Sequence, residues 1–137
     1  MNGEKPRKAK RVDPLIQARP KWKASVDEHD YVAAFEFLSL IRDEDVAHLI
    51  VNQLRDQDET VSRKAKDLLR AAAVPLLLHA DEYVMRDLIK IGNGSKLSPV
   101  LYVRGNSKCP PIIADGYHRI CASYYCDPDA DVLLKLV

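Results

Sequence analysis

The hydrophobic pattern of this chain changes period once, near residue 74, and that change limits the folds open to it more than any other feature. Before it, apolar residues recur every three to four positions, the repeat of a helix with one buried face. Tyr31, Phe35, Leu38 and Ile41 make one such stripe from about Asp30, and Val46, Leu49, Ile50 and Leu54 a second over about 44–55. Val61, Ala65, Leu68, Leu69 and Ala72 make a third, with Thr60 as its N-cap and Pro75 as its stop. After the change, short apolar runs alternate with single helical stretches. The run 74–78 is too brief for a helix and reads as a strand. Asp81 caps a helix with Val84, Met85, Leu88 and Ile91 inward, ended by Lys90 and Gly92. Segments 99–103 and 112–114 flank a turn at 104–108 as a hairpin. Asp115-Gly116 opens a helix with Tyr117, Ile120, Cys121 and Tyr124 on one face; Asp127-Pro128 stops it, and 132–137 is a last strand. All-helical and all-strand folds are excluded. The class is α+β: an N-terminal helical segment, 24–73, then a small mixed β-sheet domain, 74–137, in the order strand, helix, strand, strand, helix, strand.

Charge is divided as clearly as the pattern. Residues 1–23 carry eight Lys or Arg against Glu4 and Asp13, a net +6, whereas the other 114 residues carry thirteen basic and eighteen acidic groups, a net −5. Pro6, Pro14 and Pro20 discourage helix there, so 1–23 reads as a disordered basic arm that either collects phosphates or serves as a solvated leader. No apolar run approaches the ~18 residues of a membrane span, and no signal peptide follows the basic start, which predicts a cytoplasmic chain with no membrane partner. Cys109, Cys121 and Cys126 form no C-x-x-C pair, which argues against a disulfide framework and a zinc site.

Chemistry concentrates at the corner Ile112-Ile113-Ala114-Asp115-Gly116-Tyr117-His118-Arg119, where a strand turns into a helix. The first amides of a helix lack intrahelical partners and sit at the positive end of its dipole, so they suit an anion. Gly116 allows close approach to the backbone, Arg119 can fork two hydrogen bonds onto a phosphate, and His118 can donate or shuttle a proton. Both lie off the apolar stripe and are expected to face the mouth of the corner. Asp115 is the residue type of an N-cap, and Gly116 of a turn, so the same residues also suit a plain helix start.

This strand-Asp-Gly-x-His-Arg-helix corner, preceded by Ser98-Pro99-Val100 and a hairpin, resembles the ParB/sulfiredoxin superfamily over about residues 74–137. The resemblance implies that Asp115, Gly116, His118 and Arg119 bind the phosphates of a nucleotide such as ATP, ADP or CTP. Tyr117 stands where sulfiredoxins have their reactive Cys, so sulfinic acid reduction is not implied. The chain stops at Val137, where partition ParB proteins continue into a long helix-turn-helix region, so a complete partition protein is not expected. Free-serine kinases of this fold have an Asp-Gly-His-His-Arg turn and an early acidic base. Asp115 to Arg119 is similar, and Glu82 lies about where that base would be, which makes Glu82 and His118 the catalytic candidates. Glu82 equally suits a helix's first turn for dipole reasons alone. Phosphoryl transfer would also call for Mg2+, with Asp87 or Asp115 at hand as a ligand.

The helical segment adds one further signal. Thr60-Val61-Ser62-Arg63 resembles the start of a DNA-reading helix, and Arg63, Lys66 and Arg70 would share one helical face. With the arm, they could hold DNA backbone, although the stretch before them lacks the tight turn of a helix-turn-helix, and a solvated charged face fits equally. Two function classes result. One is a nucleotide-phosphate-binding module, DNA-associated or acting through a partner or homodimer; the other is a nucleotide-dependent phosphotransferase.

Overall fold

The structure, a computed structural model, describes residues 18–137. Its elements are β1 (Lys21–Trp22), α1 (Glu28–Leu38), α2 (Glu44–Asp56), β2 (Val61–Lys64), α3 (Ala65–Ala72), α4 (Glu82–Gly92), β3 (Lys96–Leu97), β4 (Val100–Val103), β5 (Ile112–Asp115), α5 (Tyr117–Cys126) and β6 (Asp131–Leu136). The class is α+β. No helix among the described residues is long and apolar enough to cross a membrane.

Alternation along the strands sends successive side chains to opposite faces of the sheet and so builds two cores. Val100 and Tyr102 of β4, with Val132 and Leu134 of β6, meet Leu68 of α3, Val84, Leu88 and Ile91 of α4, and Ile120 and Cys121 of α5. The intervening Leu101 and, from β5, Ala114 face the other way, onto Tyr31, Ala34 and Leu38 of α1 and Ala47, Val51 and Leu54 of α2. The helices that precede residue 74 therefore divide between both faces of the sheet. Its strand order is β2-β6-β4-β5, with β6 antiparallel to β2 and parallel to β4, and β4 antiparallel to β5. The hairpin expected around 104–108 is the β4–β5 pair. A separate parallel pair joins β1 to β3.

Four details differ from the sequence reading. Of the expected stripe of α2, Leu54 is buried and Ile50 packs partly buried beside it, but Ala47 and Val51 complete the stripe while Val46 and Leu49 are 41% and 58% exposed. Ala34 of α1 and Ala47 of α2 are both fully buried in the same core, and small side chains let two helices approach closely. Residues 61–64 are not the start of a helix but the edge strand β2, and α3 begins only at Ala65. Segment 74–78 is not a strand. Pro75 has no N–H to give a ladder, and the Pro75 and Leu77 carbonyls instead accept the hydroxyls of Tyr117 and Tyr125. Finally, residues 18–23 belong to the fold: Ala18 and Trp22 pack on the larger core, Arg19 pairs with Asp127 at 2.8 Å, and Lys21–Trp22 is β1. The remainder of the expected arm, 1–17, lies outside the described residues.

Candidate functional site

At the end of β5 the backbone swings into α5 through Gly116, whose φ of 109° lies in the left-handed region that favours glycine. A Cβ there would come within 2.8 Å of a Val100 methyl and 2.8 Å of Arg119 Nη2, so the corner admits no side chain without displacing its neighbours. The Gly116 carbonyl accepts the first bond of the helix, from Ile120 N–H at 3.0 Å. Gly116 is thus the N-cap. Asp115, expected in that role, is instead the last residue of β5, and no side chain caps α5.

The Asp115 carboxylate turns to Arg119, accepting from Nη2 at 3.0 Å. Arg119 Nη1 in turn lies 3.4 Å from Asp30 Oδ2 on α1, close enough for an ion pair, although that oxygen has no aligned hydrogen bond. The Asp30 side chain is 4% exposed and that of Arg119 15%. This corrects the expectation that Arg119 faces the mouth: its guanidinium is largely buried between the Asp30 carboxylate of α1 and the Asp115 carboxylate of β5. Asp87 of α4 is a third acidic neighbour. Burial pushes its carboxyl pKa up, against the downward pull of Arg119, Lys90 and His118. Asp115 is also pushed up by burial, with Arg119 pulling down and Asp30 pushing up. Arg119 therefore acts on three carboxyl groups from three elements, with Lys90 and His118 adding to its pull on Asp87 and His29 Nε2 3.2 Å from Asp30.

His118 does reach the surface, with its side chain 42% exposed and Nε2 4.0 Å from Asp81 Oδ1. Its ring lies between those of Tyr83 and Tyr117, at centroid distances of 5.2 and 5.9 Å. Asp81 is the expected cap of α4, accepting from Tyr83 and Val84 N–H at 2.9 and 3.1 Å. The N-termini of α4 and α5 thus converge on one imidazole.

Along the outer edge of β5 runs a cleft of about 460 Å³ that ends at this corner. Ala33, Phe37 and Ile41 wall one side, Ala72 and Val74 another, and Ile112 to Ala114 form the base; Asp115, Gly116, Tyr117 and His118 close one end. The cleft is apolar along its length and polar at the corner.

The remaining candidates lie apart from it. Glu82, in the first turn of α4, is 67% exposed, holds Arg86 at 2.7 Å and does not line the cleft. Arg63 stands on β2 while Lys66 and Arg70 are on α3, so they do not share a helical face. Lys66 pairs with Asp129 at 2.7 Å and Arg70 with Asp67 at 3.3 Å. The three cysteines are free; burial pushes the Cys121 thiol pKa up and that of Cys126 up to about 11, so both stay protonated at neutral pH. Among the described residues no group of three or more His, Cys, Asp or Glu is placed to hold a metal ion.

Asp30, Phe37 and Ile41 are the site residues that the sequence does not single out as such, whereas Asp87 already stands there as a candidate metal ligand. Asp30 precedes a helical stripe, where an acidic residue suits the dipole and attracts no further attention. No protein-family model, curated protein or solved structure matches the chain.

Proposed function

We propose that the corner and its cleft form a nucleotide-binding module, with a phosphate at the N-terminus of α5 and the base in the cleft, as the ParB/sulfiredoxin resemblance suggests. The observation that carries this reading is the junction itself: an uncapped helix start behind a glycine that cannot take a side chain, opening on an apolar cleft of about 460 Å³. His118 is the exposed donor at that end. Arg119, held by Asp30 and Asp115, is a positioning residue that fixes the corner, and it would reach a phosphate only in exchange for one of those carboxylates.

Under this reading the ligand is ATP, ADP or CTP, with Mg2+ carried on the phosphates and a cytoplasmic setting that suits unpaired cysteines. Occupancy would be felt by α1, since its Ala33 and Phe37 wall the cleft, and from there by a second copy of the chain or another partner. A DNA-associated role draws on the basic arm with Arg63, Lys66 and Arg70; its affinity should fall steeply between about 50 and about 200 mM salt.

Titration calorimetry with ATP, ADP, CTP and GTP, with and without Mg2+, tests the proposal. One nucleotide should bind, and His118→Ala and Phe37→Ala should each weaken it by about tenfold while Glu82→Gln leaves it unchanged. Absence of binding by every nucleotide, or affinity indifferent to both cleft variants, defeats it.

A further inference from the structure

A second cleft, of about 440 Å³, lies on the face of the sheet that packs against α3. Its floor is Leu68 of α3 with Tyr102, Leu134 and Leu136, which share one face of β4 and β6. The Tyr102 hydroxyl donates to the Leu68 carbonyl at 2.9 Å, so its polar end is already satisfied, and the apolar surface left open in the cleft belongs to Leu136, Pro111 and Ala71.

The rim carries Arg63 from β2 and Arg104 from the end of β4. Lys64, Lys66 and Arg70 nearby each have a carboxylate partner. Arg63 differs: its guanidinium donates to the Ser62 carbonyl at 2.8 Å, and among the described residues no carboxylate lies within 4.0 Å of either the Arg63 or the Arg104 guanidinium, although the Arg104 backbone N–H donates to Val137 O at 2.7 Å. Asp67 is the carboxylate on this rim, and Arg70 holds it. Two uncompensated guanidiniums above an apolar floor call for negative charge joined to hydrocarbon.

We propose that this cleft binds an organic anion with an apolar body: an aryl or alkyl carboxylate, sulfonate or phosphate ester. Its apolar part would cover Leu136, Pro111 and Ala71, the accessible apolar lining of the cleft, and its anionic group would take forked hydrogen bonds from the arginines. The site is independent of the corner and of any nucleotide.

The probe is 8-anilinonaphthalene-1-sulfonate, titrated by fluorescence against the full chain, with uncharged N-phenyl-1-naphthylamine as its neutral counterpart. The sulfonate should bind saturably at one site and more tightly than the neutral probe. Arg63→Ala and Arg104→Ala should each weaken it by about tenfold, with unchanged melting temperature because both side chains are exposed. Asp67→Asn should tighten binding, and Ala71→Glu, which places a carboxylate on the same rim from an exposed position of α3, should abolish it. Four results overturn the proposal: no saturable binding, equal affinity for the two probes, affinity unmoved by both arginine variants, or loss of binding only in Phe37→Ala, which would place the probe in the corner cleft.

Discussion

Around Arg119 and around α3 the fold arranges the same kinds of side chain, cations beside aspartates, in opposite surroundings. At the corner, the Asp30 and Arg119 side chains are 4% and 15% exposed, so each charge has given up most of its water and relies on nearby opposite charge. On α3, Lys66 and Asp129 are about half exposed, with side-chain accessibilities of 47% and 53%, and Arg70 is 85% exposed over Asp67. Contact distances do not separate the two: 3.0 and 3.4 Å at the corner, 2.7 and 3.3 Å on α3. Burial does. Removing one partner of a buried pair leaves an uncompensated charge, whereas water replaces a lost partner at the surface.

Arg119→Ala gives the largest expected effect, a loss of about 3–5 kcal/mol in denaturant unfolding, because Asp115 would lose its cation and the buried Asp30 would keep only the exposed His29 ring, at 3.2 Å. A double-mutant cycle sharpens this: Asp30→Asn with Arg119→Met should be more stable than the two single effects summed. Additive losses would remove the coupling. Next comes Gly116→Ala, expected to cost at least about 1–2 kcal/mol from the left-handed backbone alone, with the Val100 collision in addition.

A smaller effect is one of pH. Asp87 and Asp115 both have pKa values raised by burial above 3.8, so the folded chain holds their protons more tightly than the unfolded one. Their contribution to stability is therefore complete below 3.8 and is lost as pH rises through the raised values. Asp27 and Asp127 act in the opposite sense, since hydrogen bonds from Lys23 and Arg19 lower their pKa values and their contribution is lost on acidification. Asp87→Asn should gain on the wild type as pH rises from about 4 to about 7 in urea titrations. A gap that does not vary with pH would show that Asp87 does not titrate with folding. The smallest effect is expected at the surface: Lys66→Ala should leave the urea midpoint unchanged within error, and a clear shift would break the contrast between the two regions.

Local chemistry was legible in the sequence and long-range chemistry was not. The Asp81 cap, α4, the hairpin, the corner and the last strand all follow from residues a few positions apart. Strand β2 was missed because Val61 stands four residues before Ala65 and so extends the stripe of α3 backwards by one turn, and only pairing with β6 distinguishes it. Ile50 and Leu54 of α2 follow from the sequence, but Val46 and Leu49 do not, because large apolar residues outweigh Ala47 in the pattern and only the core it shares with Ala34 shows its part. Arg119 was read as outward-facing from its own helix. Nothing within 89 residues of chain announces Asp30 as its partner, and the expectation failed at that contact.

Strand β6 lies between β2 and β4, which do not pair with each other. Val61 finds Leu134, 73 residues along, and Val100 finds the same Leu134 from the other side. During synthesis, then, the sheet can exist only as the β4–β5 hairpin until residues 131–136 have been made. Every other strand contact waits on a long loop closure, so helices should form before the sheet does. A chain emerging from the ribosome would meanwhile expose the edges of β2 and β4, and a nascent chain halted before Asp131 should be the species most prone to aggregate.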